Sequence, residues 1–381
     1  MCPSCPALKE DNPSFVLHGI HNTQYDERPV PEVQNDEVLV QIAKTGICGS
    51  DVHYLEHGRI GSFVVDQPMC LGHESSGTIV KLGPGVPASS GLTIGQKVAV
   101  EPGFGCRTCV QCKSGLYELC PNMTFAATPP FTYGTLCRYY KLPFDMLHPI
   151  SEQVSFEDGA MIEPLSVAVH SLSNLAKMKS GDNVVIFGAG PVGLLCMAVA
   201  KALGAARVVA VDIQKERLDF AKAYAATDVF IPPPKNEGEG ADVYAERNAA
   251  ALREALSIPA LGAGSLDICI DATGAPVCIS TGLHLLRPAG TFVQVGMGPS
   301  TVPLPMFAIV VKQLTVLGSF RYGQGDYPLA ISLVDRGLVD LKPLVTHRYK
   351  FADALEAFEL TRAGKDKEGK PVIKVIIDAP L

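Results

Sequence analysis

Val184-Val185-Ile186-Phe187-Gly188-Ala189-Gly190-Pro191-Val192-Gly193 is the stretch that decides the fold. The run Val184 to Phe187, rich in β-branched residues, reads as a strand buried on both faces. A glycine turn follows and opens a helical stretch from Leu194 to Leu203 that stops at Gly204, and Val208-Val209-Ala210-Val211 supplies the next strand. This is a β-α-β unit. Gly188, Gly190 and Gly193 allow a tight turn, close approach of backbone to a pyrophosphate and helix-on-strand packing, while the amides opening the helix can hold the phosphates. Asp212 ends the second strand, where a carboxylate accepts both ribose hydroxyls. A 2′-phosphate would meet its negative charge, so the pattern favours NAD over NADP. Arg217 either lies over the adenine and partly offsets that acid, or is a solvated helix residue.

Working outward, apolar strands at Leu266 to Ile270 and Thr291 to Val295 alternate with helix-like segments, which predicts one doubly wound parallel sheet over residues 166–306. The flanking sequence has a different texture. From Glu37 to Pro149 it runs in short alternating segments broken by Gly and Pro, as in Lys97-Val98-Ala99-Val100, and mixed short elements return through Lys374-Val375-Ile376-Ile377. Residues 1–165 and 307–381 are therefore expected to form a second, β-rich domain. Ile231-Pro232-Pro233-Pro234 opens a polar insertion over 232–264 whose segment Tyr244 to Leu256 reads as an amphipathic helix; it is taken as a surface elaboration without a catalytic role.

The 381 residues suit two domains, and 47% hydrophobic against 19% charged residues leaves ample material for buried cores. With 39 acidic and 32 basic residues the formal charge is −7, which offers no field for nucleic acid or anionic lipid. No apolar run is long enough to span a bilayer and Met1 to Asp11 lacks a secretory pattern, so a cytoplasmic protein is expected. Cys2-Pro3-Ser4-Cys5 reads as an exposed tail.

Of the twelve cysteines, Cys106, Cys109, Cys112 and Cys120 form a C-x2-C-x2-C-x7-C loop. Such a loop can wrap four thiolates tetrahedrally around one zinc, and with every position filled by sulfur that role is structural. A nucleic-acid-binding knuckle is opposed by the acidic charge and the lack of Lys/Arg flanks. A second constellation is dispersed: Cys48 and Ser50 in Thr45-Gly46-Ile47-Cys48-Gly49-Ser50-Asp51-Val52-His53, His73-Glu74 after Leu71-Gly72, and Glu163 in Ile162-Glu163-Pro164. Each alone is more commonly a core or surface residue than a ligand.

Taken together with the cysteine loop and the glycine turn, these residues resemble the zinc-containing medium-chain dehydrogenase/reductase family over nearly the whole chain. His53-Tyr54-Leu55-Glu56-His57-Gly58-Arg59-Ile60-Gly61, Glu163-Pro164-Leu165-Ser166-Val167 and Phe320-Arg321-Tyr322 resemble its polyol branch, the sorbitol and xylitol dehydrogenases. Phe125 to Pro130 and Gly134 to Tyr140 are most similar to the xylitol dehydrogenases, or D-xylulose reductases. The resemblance implies an α/β fold, with a GroES-like β-rich catalytic domain plus a Rossmann domain, two zinc ions per chain, and oxidation of a sugar alcohol by NAD. Xylitol is the first expectation, with sorbitol or L-arabinitol the alternative and an idle dinucleotide-binding protein a remote one. It implies that Cys48, His73 and one of Glu74 or Glu163 hold the catalytic zinc, the other glutamate acting through water. Ser50 and His53 would relay the alcohol proton, and Tyr54, Glu163, Arg321 and Tyr322 would meet substrate. Val192, Val295, Met297, Ser319 and Arg321 would join Asp212 and the glycines at the cofactor. A homotetramer is the assembly expected of the branch.

Overall fold

The computed structural model describes residues 8–380, so Cys2 and Cys5 lie outside it. The chain divides into two compact units, one running to Glu163 and resuming at Gly323, the other spanning Pro164–Tyr322.

The first unit is built on a seven-stranded sheet whose central strand, Glu37–Gly46, pairs antiparallel with Glu74–Leu82, Tyr139–Pro143 and Lys374–Asp378. Alternating apolar residues give that strand a buried face: Val38 and Val40 are fully buried and pack with Ile79, Val98, Val100 and Leu142. The pairing register sets Gly46 opposite Glu74, and the strand Lys374–Asp378, from the far end of the chain, lies on the other side of Glu37–Gly46. A smaller sheet joins Asp11–Gly19 to Asn22–Pro29 and to Met69–Cys70, just before His73.

The second unit holds six parallel strands in the order Asp228–Phe230, Arg207–Val211, Asn183–Phe187, Ile268–Asp271, Thr291–Gln294, Thr315–Gly318. Residues Val184 to Phe187 and Val208 to Val211 are all 2% exposed or less, the burial on both faces that their unbroken apolar runs require. Two expectations shift here. The strand Thr315–Gly318 hydrogen-bonds to Thr291–Gln294, which carries this unit to Tyr322 rather than stopping at residue 306. The helix expected inside a surface elaboration, Ala241–Ala255, buries Ala245, Asn248, Ala249 and Leu252, so it is a layer of the unit's core and only its flanking loops are elaboration. No helix among the described residues is long and apolar enough to cross a membrane.

Candidate active site and metal centres

The four-cysteine loop closes on itself as its spacing predicts: the sulfurs of Cys106, Cys109, Cys112 and Cys120 all lie within 4.8 Å of one another. Main-chain amides point at them, Cys106 N donating to Cys120 Sγ at 3.3 Å, Cys109 N to Cys106 Sγ at 3.4 Å and Cys112 N to Cys109 Sγ at 3.4 Å. Glycine is required at Gly105, where a Cβ would stand 2.6 Å from Cys112 Sγ. The donor set fits zinc. At a Zn–S distance of about 2.3 Å a tetrahedron has sulfur–sulfur edges of about 3.8 Å, and Cys109 and Cys120 are 3.8 Å apart. Charge points the same way. The Thr108 hydroxyl, with the amides of Thr108 and Cys109, holds Cys106 down at about 5, whereas burial and its neighbouring thiols push Cys112 up to about 12. Four thiolates need a cation to coexist.

Cys48 stands at the N-terminus of the helix Gly49–His57, and His73-Glu74 opens the strand Glu74–Leu82. Ligand atoms of Cys48, His73 and Glu74 lie within 4.8 Å of one another, with His73 and Glu74 buried. A thiolate, an imidazole and a carboxylate are three donors, the number that an open zinc site takes from protein. Glu163, 6% exposed in the helix Phe156–Val169, is not part of that close set, although its charge is felt at Lys374.

Sequence reasoning missed two partners of this cluster. Asp51 is completely buried; its Oδ2 faces His73 Nδ1 at 3.4 Å and its Oδ1 accepts from Gly72 N at 3.2 Å. A carboxylate there sets the orientation of the ring and leaves Nε2 as its other nitrogen. Burial works to lower the His73 pKa, but Asp51 and Cys48 outweigh it and push it well up. Lys374 is 4% exposed and places Nζ 2.7 and 2.6 Å from the two Glu74 oxygens and 3.1 Å from Ile47 O. Burial opposes its charge; Glu74 and Cys48 more than restore it. Gly46 completes the cradle, since a Cβ there would come within 2.2 Å of Glu74 Oε2. Asp51 carried a signal in its position on the helix that starts at Cys48. Lys374 carried none.

Among the other expected residues, Ser50 is half-buried and His53 exposed on the helix Gly49–His57, with the His53 ring 4.5 Å from that of His57. Tyr54 is 3% exposed and belongs to the buried cluster of Phe15, Leu55, Met69 and Leu71. In the second unit Gly188 has φ +92°, and a Cβ on Gly193 would lie 1.8 Å from Gly188 O, so both positions demand glycine. Gly190 caps the helix Pro191–Ala202, which carries Val192 in its first turn. Asp212 accepts from Ala189 N at 2.8 Å and Gln214 N at 2.9 Å, tying the glycine turn to the end of the second strand, and Arg217 stands 3.9 Å from it. Val295 N donates to Asp271 O at 2.9 Å, Met297 is 72% exposed, and Ser319 Oγ lies 3.1 Å from Ser171 Oγ. Arg321 sits over the Phe320 ring at 4.7 Å, and Tyr322 is buried.

A family model described as alcohol dehydrogenase GroES-like domain matches residues 34–152, and one described as zinc-binding dehydrogenase matches 191–336. The chain belongs to the zinc-containing medium-chain dehydrogenases. It is 53% identical over 358 residues to D-xylulose reductase A of Aspergillus niger, covering 93% of this chain and 94% of that one. It is 50% identical over 361 residues to D-xylulose reductase A of Aspergillus oryzae, covering 94% and 96%. Among solved structures, L-idonate 5-dehydrogenase of Escherichia coli matches with a TM-score of 0.82 at 30% identity, covering 97% of this chain and 98% of that one. The protein is thus a family oxidoreductase with a GroES-like domain and a Rossmann domain, built to use zinc and a nicotinamide dinucleotide.

Proposed function

We propose that this enzyme is an NAD-dependent polyol dehydrogenase that oxidises a secondary alcohol of a sugar alcohol to a ketose, xylitol to D-xylulose first, with sorbitol and L-arabinitol as neighbouring substrates. The observation that carries it is the identity of 53% to a D-xylulose reductase over 93% of the chain, in a protein that keeps Cys48, His73 and Glu74 within ligand distance of one another.

A zinc held by Cys48, His73 and Glu74 supplies a Lewis acid that eases loss of the alcohol proton near neutral pH. The chain's own residues do the rest. Asp51 fixes the His73 ring and Lys374 holds the Glu74 carboxylate in place. Glu163, buried in the helix Phe156–Val169, would reach that metal through water. Ser50 and His53 pass the proton outward, a role supported by the exposure of His53. Tyr54, Glu163, Arg321 and Tyr322 offer polar groups to a substrate rich in hydroxyls, and Tyr54 lies on the same helix as Ser50 and His53. Gly188, Gly190, Val192 and Gly193 receive the pyrophosphate, Val295, Met297 and Ser319 line the rest of the cofactor, and Asp212 reads the ribose, which supports NAD. Arg217 lies close enough to Asp212 to offset part of its charge. The four-cysteine loop holds a second, structural zinc. A cytoplasmic homotetramer is the assembly proposed; exposure of Phe307 (81%) and Val310 (69%), beside the sheet's edge strand Thr315–Gly318, supports self-association.

The test is steady-state kinetics with NAD and NADP on xylitol, sorbitol, L-arabinitol and ethanol, with zinc counted on the same preparation. The expected result is the highest kcat/KM for xylitol with NAD and two zinc ions per chain. Preference for ethanol or NADP would overturn the reading.

A further inference from the structure

Cys70 and Cys137 take no part in the chemistry above. They are 1% and 4% exposed and belong to the same buried cluster as Val16 and Ala126. The strand Asp11–Gly19 brings them together: along one edge it pairs Val16 with Cys70 and Ser14 with Cys137. Residues two apart on a strand share a face, so the two thiols project to the same side. Two residues of rise amount to about 6.8 Å, at the upper end of the Cα separation of about 4.4 to 6.8 Å that a disulfide spans.

Closer contacts agree. Cys70 Sγ lies 3.6 Å from the carbonyl oxygen of Leu136, the residue preceding Cys137, and a Cβ on Gly134 would stand 2.3 Å from the Cys70 carbonyl oxygen. Both thiols donate to main-chain carbonyls, Cys70 Sγ to Leu71 and Cys137 Sγ to Gly134 and Tyr139; the neighbouring Cys137 thiol holds Cys70 below the ordinary thiol value against the effect of burial, with Arg28 helping. The neighbouring Cys70 thiol, with burial, pushes Cys137 well up. Both line a cavity of about 610 Å³ whose wall also includes Pro29 and Glu32, which are exposed, so small solutes reach it from the surface.

We propose that Cys70 and Cys137 form a reversible dithiol–disulfide couple oxidised by a small hydroperoxide. Cys70 sulfur attacks the peroxide, the O–O bond breaks, and one oxygen stays on sulfur as a sulfenic acid while the other leaves as water or an alcohol. Cys137 sulfur then attacks Cys70 sulfur, the S–O bond breaks and water leaves. Two thiols and one hydroperoxide give one disulfide, one water and one water or alcohol; the sulfurs lose two electrons and the peroxide gains them. Cys70 is followed by Leu71-Gly72-His73, so closing the bond acts directly on the segment that carries His73.

The zinc-loaded protein is treated with hydrogen peroxide at near-stoichiometric amounts and digested without reduction. The expected product is a linked pair of peptides carrying Cys70 and Cys137, lighter by about 2 Da than their sum and separated by dithiothreitol. A Cys137→Ala variant should instead accumulate a dimedone-trapped sulfenic acid at Cys70. Linkage confined to the loop cysteines, no dimedone adduct at Cys70 in folded Cys137→Ala protein, or both thiols still alkylatable after excess peroxide each overturn the proposal. The main readout uses the unaltered protein, so it holds whether or not the variant folds.

Discussion

The two clusters suited to zinc are built in opposite ways. In the loop, Cys106, Cys109, Cys112 and Cys120 come from one short stretch, three of them are partly exposed, and the amides of the same stretch orient the sulfurs. In the other, Cys48 caps a helix, His73 and Glu74 open a strand, and each polar group has an oppositely charged partner behind it, Asp51 for His73 and Lys374 for Glu74. The loop is complete in itself and closed to further ligands. The dispersed set brings three donors rather than four and draws on distant parts of the β-rich unit to hold them. Structure by local chain geometry and reactivity by tertiary assembly are thus separated within one domain.

The sharpest way to break this comparison is to remove one sulfur from each cluster. Cys48→Ala should lower kcat by about a thousandfold, since several kcal/mol of metal-borne stabilisation disappear, while one zinc is lost and the melting temperature changes little. Cys109→Ser should also lose one zinc but show the reverse pattern, a lower melting temperature with kcat reduced only modestly. Metal analysis, calorimetry and kinetics on both variants decide it. A Cys48→Ala enzyme with full activity and both metals would remove the distinction.

A smaller effect tests how the dispersed set is held. Lys374→Met leaves Glu74 buried without its cation, and breaking such a pair by removing one partner lowers stability by about 3–5 kcal/mol. If Glu74 touches the metal, zinc replaces part of the lost charge, so denaturant unfolding should show a larger loss in chelator-stripped protein than in zinc-loaded protein. Equal losses would favour Glu163 as the ligand.

What the sequence made legible follows the same division. Gly188 to Gly193, Asp212 and the four cysteines could be read because each group lies within a short stretch whose spacing dictates its geometry. Lys374 could not, because the contact with Glu74 joins residues 300 positions apart and depends on the pairing of Glu37–Gly46 with Lys374–Asp378. Local cues also misled. Pro232 to Pro234 and the polar residues after them suggested an appendage, yet the helix Ala241–Ala255 buries Ala245, Ala249 and Leu252, the last two within the unit's apolar core. The strand Thr315–Gly318 was missed because it is an edge strand with Thr315 and Val316 exposed, and its pattern lacks the continuous burial that marked its neighbours.

A second ion pair calibrates the buried one. Arg348 grips Glu157 through Nε and Nη2, each at 2.8 Å and so close to the 2.7 and 2.6 Å of the Lys374–Glu74 pair, with Lys44 Nζ farther off at 3.5 Å, but the Arg348 side chain is 51% exposed. The Arg348 guanidinium outweighs partial burial and holds the Glu157 carboxyl below the usual carboxylate range. A carboxylate with a lowered folded-state pKa contributes stability above its unfolded value of about 4.3 and loses that contribution as pH falls through the folded value. Solvent screening keeps the amount small. Glu157→Gln should therefore lower stability by about 0.5–1 kcal/mol at neutral pH, and the gap to the unaltered protein should close on acidification below the carboxylate range. Urea titrations at several pH values measure it. A loss as large as that of Lys374→Met would show that burial is not what separates the two pairs, and the contrast between a solvated clasp and a tertiary cradle would fail.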